Sequence, residues 1–189
     1  HSRHDSAYWE AYKRVNLLFR DKVLEVARID DIIWVQDYHL MLLPAMIREH
    51  LPAARIGFFL HIPFPSYELF RTLENREELM EGLLGSDLVG FHTFTYMRHF
   101  ISALYRITGL ESNDNTFHTG THTLSVDTFP MGINFDSFYK AHNLPQVRAA
   151  RERFREQYQN SRIVLSVDRL DYSKGLLQRL EGFRLLLQK

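Results

Sequence analysis

Apolar side chains recur at three- and four-residue steps near the start of the chain, from Tyr8 through Tyr12, Val15, Phe19 and Val23 to Val26. That spacing predicts one helix with a single apolar face. Asp5 and Ser6 offer N-cap oxygens for it. The period then changes. Ile32-Ile33-Trp34-Val35 is a short, continuous, β-rich apolar run, and residues 55–60 and 87–91 form two more. Helical patterns separate them: 42–50, stopped by Pro52; 66–84, broken near Glu74-Asn75; and 93–108. Residues 121–126 alternate as a half-buried strand, with Phe117 pairing to it across Thr119-Gly120.

Short apolar strands alternating with helices of this length predict an α/β fold with a parallel sheet and helices on both faces. A boundary falls after Met131-Gly132-Ile133, dividing the chain into 1–133 and 134–189. In the second part, Asn134 to Asn143 is mixed and aromatic, and Pro145 marks a break. A charged helix over 147–158 follows, then a buried strand over 163–167, a polar turn over 168–175 and a final helix. This reads as a linker and the first strand–loop–helix unit of a second domain.

Composition narrows the function. The 45% hydrophobic and 24% charged residues are those of an ordinary globular chain, and 23 basic against 23 acidic residues leave a formal net charge of +0. No polyanion-binding surface follows from that balance, so nucleic acid is not an expected partner. With no cysteine, disulfides, thiolate metal sites and cysteine nucleophiles are excluded. No apolar run approaches the ~18–20 residues of a membrane span, and a cytoplasmic location is expected. The opening residues carry no signal-peptide core and no initiating methionine, so the chain is expected to be an internal piece of something longer. Ten histidines invite a metal site, but no His-Glu-x-x-His pattern and no acidic loop of calcium-binding type occurs, and no metal is expected.

In an open α/β sheet, ligands bind beyond the carboxyl ends of the strands. The residues there are Asp37, Tyr38 and His39; His61, Pro63, Phe64, Pro65 and Ser66; Gly90, Phe91, His92 and Thr93; and, in the second part, Arg169 and Lys174. Arg169 and Lys174 flank a turn that opens a helix near Gly175. Two cations beside the N–H groups of a helix start suit a diphosphate; solvated surface charge is the competing reading. His61 is followed by two prolines that fix the backbone. It is either a ligand-facing group or a hydrogen-bonded structural histidine. Asp37 can accept from sugar hydroxyls, cap the next turn, or do both.

Five segments together resemble the trehalose-6-phosphate synthase family, glycosyltransferase family 20. They are Asp37-Tyr38-His39-Leu40-Met41, His61-Ile62-Pro63-Phe64-Pro65-Ser66, Gly82-Leu83-Leu84-Gly85-Ser86-Asp87, Gly90-Phe91-His92-Thr93, and Asp168-Arg169-Leu170-Asp171-Tyr172-Ser173-Lys174-Gly175, in that family's order. Trp9, Tyr12, Val15 and Asn16 match its helix before the first strand. The resemblance implies a GT-B fold of two Rossmann-like domains with the active site in the cleft between them. Residues 1–133 then belong to the acceptor-side domain and 134–189 lead into the nucleotide-sugar-side domain. It implies transfer of glucose, with retention, from UDP-glucose or a related nucleotide sugar to glucose 6-phosphate, without a metal. Arg169 and Lys174 match the pair on the donor diphosphate, His61 the histidine beside the donor sugar, and Asp37 the aspartate that contacts the sugars. Tyr38 is a further sugar-binding candidate.

The family's N-terminal glycine-rich loop, its aromatic acceptor segment and its later ribose-binding segment do not match anything here. This stretch is therefore expected to be inactive alone. Two rival readings are a synthase that couples pseudo-sugars on the same scaffold and a non-catalytic, regulatory synthase-like subunit. A homo-oligomer is compatible with each.

Overall fold

The structure, a computed structural model, describes residues 6–188. The chain divides into two compact units between Gly132 and Ile133. Asp5, one of the two predicted caps, lies outside the described residues.

The first unit opens with α1 (Ser6–Val26) and alternates β1 (Ile32–Gln36), α2 (Leu43–His50), β2 (Arg55–Leu60), α3 (Tyr67–Phe70), α4 (Arg76–Leu84), β3 (Leu88–Phe91) and α5 (Phe94–Thr108), before β4 (Thr116–His118) and β5 (Thr123–Thr128). The sheet order is β1-β2-β3-β5-β4. β1, β2, β3 and β5 run parallel, and β4 closes the edge antiparallel to β5 with Phe117 opposite Leu124. The fold is thus α/β with a mostly parallel sheet. α5 shows how the local signals work. The Thr93 hydroxyl accepts from the Tyr96 amide at 3.3 Å to start it, and Gly109, at φ 73°, ends it with its N–H donating to the Tyr105 carbonyl.

One core lies between the sheet and the helices. Val35, Ile56, Phe58, Leu60, Val89, Phe91, Leu124 and Val126 on the strands meet Ile47 of α2, Met80 and Leu83 of α4, and Met97, Phe100 and Leu104 of α5. Burial of this size is the main stabilising term of the unit. Two glycines let the layers close. A Cβ on Gly82 would stand 2.4 Å from the Met41 carbonyl oxygen, and one on Gly85 2.3 Å from the Ala45 nitrogen. The partly buried Arg48 staples the lower end. Its guanidinium donates to the carbonyls of Gly85, Pro52 and Ala54 and pairs with Asp87 at 2.8 Å, while Asp87 accepts from the Ile56 amide.

The alternate strand residues point the other way. Trp34, Gly57, Phe59, Leu88 and Gly90 share the second face, where Trp34 is 67% exposed. An open groove of about 600 Å³ runs along it.

The second unit holds α6 (Phe135–Lys140), α7 (Pro145–Gln157) and α8 (Leu176–Leu187). Two findings differ from the sequence expectation. The Asn134 side chain accepts from the Ser137 amide at 3.1 Å and starts α6 in a stretch where no helix was expected. The expected strand at 163–167 does not form. A strand is defined by a hydrogen-bonded neighbour, and among the described residues these have none; Leu165 is 82% exposed.

Candidate functional site

The parallel register carries the ends of β1, β2 and β3 to one edge of the sheet. Gln36 pairs with Phe59, and Leu60 with Phe91, so Asp37, His61 and His92 follow at neighbouring positions. Asp37 has φ 67° and ψ 172°. This region is essentially reserved for glycine and costs about 1–3 kcal/mol in another residue. Its surroundings hold it there. The Asp37 amide donates to the Phe59 carbonyl at 2.8 Å, and its Oδ1 accepts from the Tyr38 amide at 3.0 Å and the His61 amide at 3.3 Å. The carboxylate therefore caps the 3-10 turn at Tyr38–Leu40 and ties β1 to the His61 loop.

The His61 ring lies 2.8 Å from Gln36, between Nε2 and Oε1. It packs on Phe59 at 4.8 Å and faces His92 at 5.4 Å between ring centroids, with Phe59 touching both histidines. Gly90 makes this cluster possible. A Cβ there would stand 2.7 Å from Phe59 and 3.0 Å from Phe129. His92 was visible in the sequence as part of a strand-end segment but not as a neighbour of His61. Gln36 was missed, because its role depends on a cross-strand register that a single strand does not show.

A second support comes from α1. The Tyr12 hydroxyl donates to the Tyr38 carbonyl at 2.7 Å and accepts from the Met41 amide at 3.0 Å. The fully buried Asn16 donates to the carbonyls of Tyr12 and His39. Burial pushes the Tyr12 phenol up to about 12, against the smaller opposing effects of its bonds to Met41 and Asn16. Tyr38, half exposed, packs at a tilt of 30° against His39, 3.9 Å between ring centroids. It borders a crevice of about 540 Å³ together with Trp9, Tyr12, Pro63, Phe64 and Asn75.

Arg169 and Lys174 belong to the second unit, in the turn that leads through a 3-10 step (Tyr172–Lys174) to Gly175, at φ 60°, and α8. The Asp171 carboxylate accepts from the Ser173 amide at 2.9 Å. That bond, helped by the Ser173 hydroxyl and more weakly by Arg169 and Lys174, holds its carboxyl below the ordinary range. Arg179 of α8 braces the turn. It donates to Asp168 at 2.6 Å, to the Ser166 hydroxyl, and to the Lys174 carbonyl at 3.2 Å. Arg179 is thus committed to the loop's own shape, whereas among the described residues neither Arg169 nor Lys174 is taken up in an ion pair. Sequence reading missed Arg179, which differs from Arg169 only in what it touches. Among the described residues no three His, Asp or Glu side chains converge as a metal site would require. No helix among them is long and apolar enough to cross a membrane.

With this geometry in view, comparison with known proteins is decisive for the family. The model of glycosyltransferase family 20 matches residues 1–189. The chain belongs to glycosyltransferase family 20. It is 41% identical over 186 residues to a UDP-forming alpha,alpha-trehalose-phosphate synthase A of Dictyostelium discoideum, covering 98% of this chain and 25% of that protein. It is 43% identical over 192 residues to the corresponding synthase of Yarrowia lipolytica, covering 98% and 41%. Among solved structures, an Escherichia coli trehalose-6-phosphate protein bound with UDP-2-fluoro glucose superposes with a TM-score of 0.80 at 34% identity, over 99% of this chain and 42% of that one. The N-terminal domain of a Candida albicans trehalose-6-phosphate phosphatase does so with a TM-score of 0.80 at 36% identity, over 100% and 41%. This glycosyltransferase family 20 chain therefore spans between a quarter and about two fifths of the length of these relatives.

Proposed function

We propose that the whole protein transfers glucose from UDP-glucose to glucose 6-phosphate with retention of configuration, giving trehalose 6-phosphate and UDP. The observation that carries this reading is the hydrogen-bonded junction of Asp37 and His61 at a backbone conformation that costs energy to hold. It stands at the sheet edge where α/β folds bind ligands. Similarity to UDP-forming synthases across the whole chain supports it.

In this reading Arg169 and Lys174 grip the donor diphosphate and stabilise the charge that develops on the leaving group. His61 contacts the donor sugar, Asp37 accepts from sugar hydroxyls while holding the His61 backbone, and Tyr38 lines the sugar site. The leaving phosphate oxygen takes the proton of the acceptor hydroxyl on the face from which it departs, so no pair of carboxylates is needed. The diphosphate charge is met by side chains, and no metal is assigned to the step. Both substrates are multiply charged and do not cross membranes unaided, which supports a cytoplasmic location.

The test is UDP release from UDP-glucose by the full-length protein, with and without glucose 6-phosphate, and the anomeric configuration of the product by NMR. Acceptor-dependent release with an α,α-linked product supports the reading. A second reading has its own observation: one similar solved domain belongs to a trehalose-6-phosphate phosphatase. A full-length protein that binds UDP-glucose and releases no UDP with glucose 6-phosphate would instead be a non-catalytic subunit. Turnover only with a different acceptor would make it a synthase for another sugar or pseudo-sugar.

A further inference from the structure

We infer that Gln36 is a positioning residue that commits the His61 ring to a proton on Nε2 and leaves Nδ1 as the nitrogen that meets the ligand. This rests on the proposed role of His61 beside the donor sugar. Trp34 and Gln36 on β1, and Gly57 and Phe59 on β2, lie on one face, and His61 continues that alternation two residues beyond Phe59. Gln36 is in register with Phe59, so its side chain reaches the His61 ring and places Oε1 2.8 Å from Nε2. With the amide oxygen turned to the ring, Nε2 carries the hydrogen, because that oxygen only accepts. That holds in the neutral ring and in the cation alike. Only Nδ1 changes between the two forms, from acceptor to donor, and among the described residues it has no hydrogen-bond partner.

The rest of the ring's surroundings keep it in place without competing for that nitrogen. Phe59 packs on one side and His92 faces it at 5.4 Å. The Asp37 carboxylate bonds to the His61 backbone amide. The charge-bearing neighbours are therefore Asp37 and His92, and the tautomer is set by the neutral Gln36. A ring held this way accepts a sugar hydroxyl hydrogen at Nδ1 when neutral and loses that ability on protonation.

The experiment uses the full-length protein, with His61→Ala to assign its signal in a long-range ¹H–¹⁵N imidazole spectrum. Wild type is expected to show the Nε2–H tautomer. Gln36→Met removes the acceptor; it should give a mixture of tautomers and a turnover on the order of tenfold lower with unchanged UDP affinity, the scale of one hydrogen bond. Gln36→Glu restores an acceptor. It should recover the Nε2–H tautomer and move the acid limb of the pH–rate profile up by about one pH unit, because a carboxylate favours the charged ring. An Nδ1–H tautomer in wild type, or a Gln36→Met protein with the wild-type spectrum and pH profile, would overturn the assignment. If wild type has no transferase activity, the proposed reaction fails, and the spectra still decide the role of Gln36.

Discussion

The two units hold their candidate residues by different means. In the first, Asp37, Tyr38 and His61 stand on strand ends whose opposite face is packed, and α1 adds Tyr12 and Asn16 to their backbone. In the second, no residue of α6, α7 or α8 is buried, and the shape of the 168–175 turn comes from local bonds by Asp171 and Arg179. Packing can over-determine an unfavourable backbone angle such as that of Asp37. A handful of exposed polar contacts cannot. The first unit is therefore a pre-organised frame, and the turn around Arg169 and Lys174 is a local motif.

The comparison is broken most directly in the cores. Phe100→Ala should destabilise the first unit by about 3–5 kcal/mol in chemical denaturation. Phe154→Ala, on a residue 57% exposed in α7, should stay within about 0.5 kcal/mol. Similar losses for both would abolish the contrast. Glycines sharpen it next. Gly82→Ala drives a methyl against Met41 and Leu42 and should cost about 1–3 kcal/mol. Gly182→Ala, in α8 with nothing within 4 Å of its Cβ, should instead stabilise its helix by about 0.5–1 kcal/mol.

Asp37→Gly probes the held backbone. Relief of strain and loss of the capping bonds oppose each other, so stability should change by less than about 1 kcal/mol. Turnover of the full-length protein should still fall at least about tenfold with the lost carboxylate contact. A separate effect appears in alkali. Tyr12 has a folded-state value of about 12, above the ~10 of an unfolded tyrosine. The native state thus binds this proton more tightly, and its contribution is complete below pH ~10 and lost as pH rises toward ~12. Tyr12→Phe should remove that alkaline step from a pH series of denaturation midpoints.

Much of this was legible in the chain because single elements carry their own signals. The apolar steps of α1, the strands of the sheet, the helix beginning at Thr93 and the pairing of Phe117 with the next strand depend on nearby residues. The candidate residues at strand ends followed from the parallel order alone. What escaped depends on a neighbour. Residues 163–167 have strand composition but, among the described residues, no strand to pair with, and Asn134 starts a helix in a stretch that reads as mixed. Gln36 and Arg179 look like ordinary polar residues until their partners, His61 and Asp168, are placed beside them.

The division of labour between the two groups of residues is tested most directly by measuring UDP affinity and turnover together in the full-length protein. The account predicts that Arg169→Ala weakens UDP and UDP-glucose alike, by about 1.5–3 kcal/mol for a lost charge-assisted contact. It predicts that His61→Ala keeps its UDP affinity and loses turnover. Wild-type UDP affinity in Arg169→Ala, or equal losses of UDP affinity and turnover in His61→Ala, would contradict it.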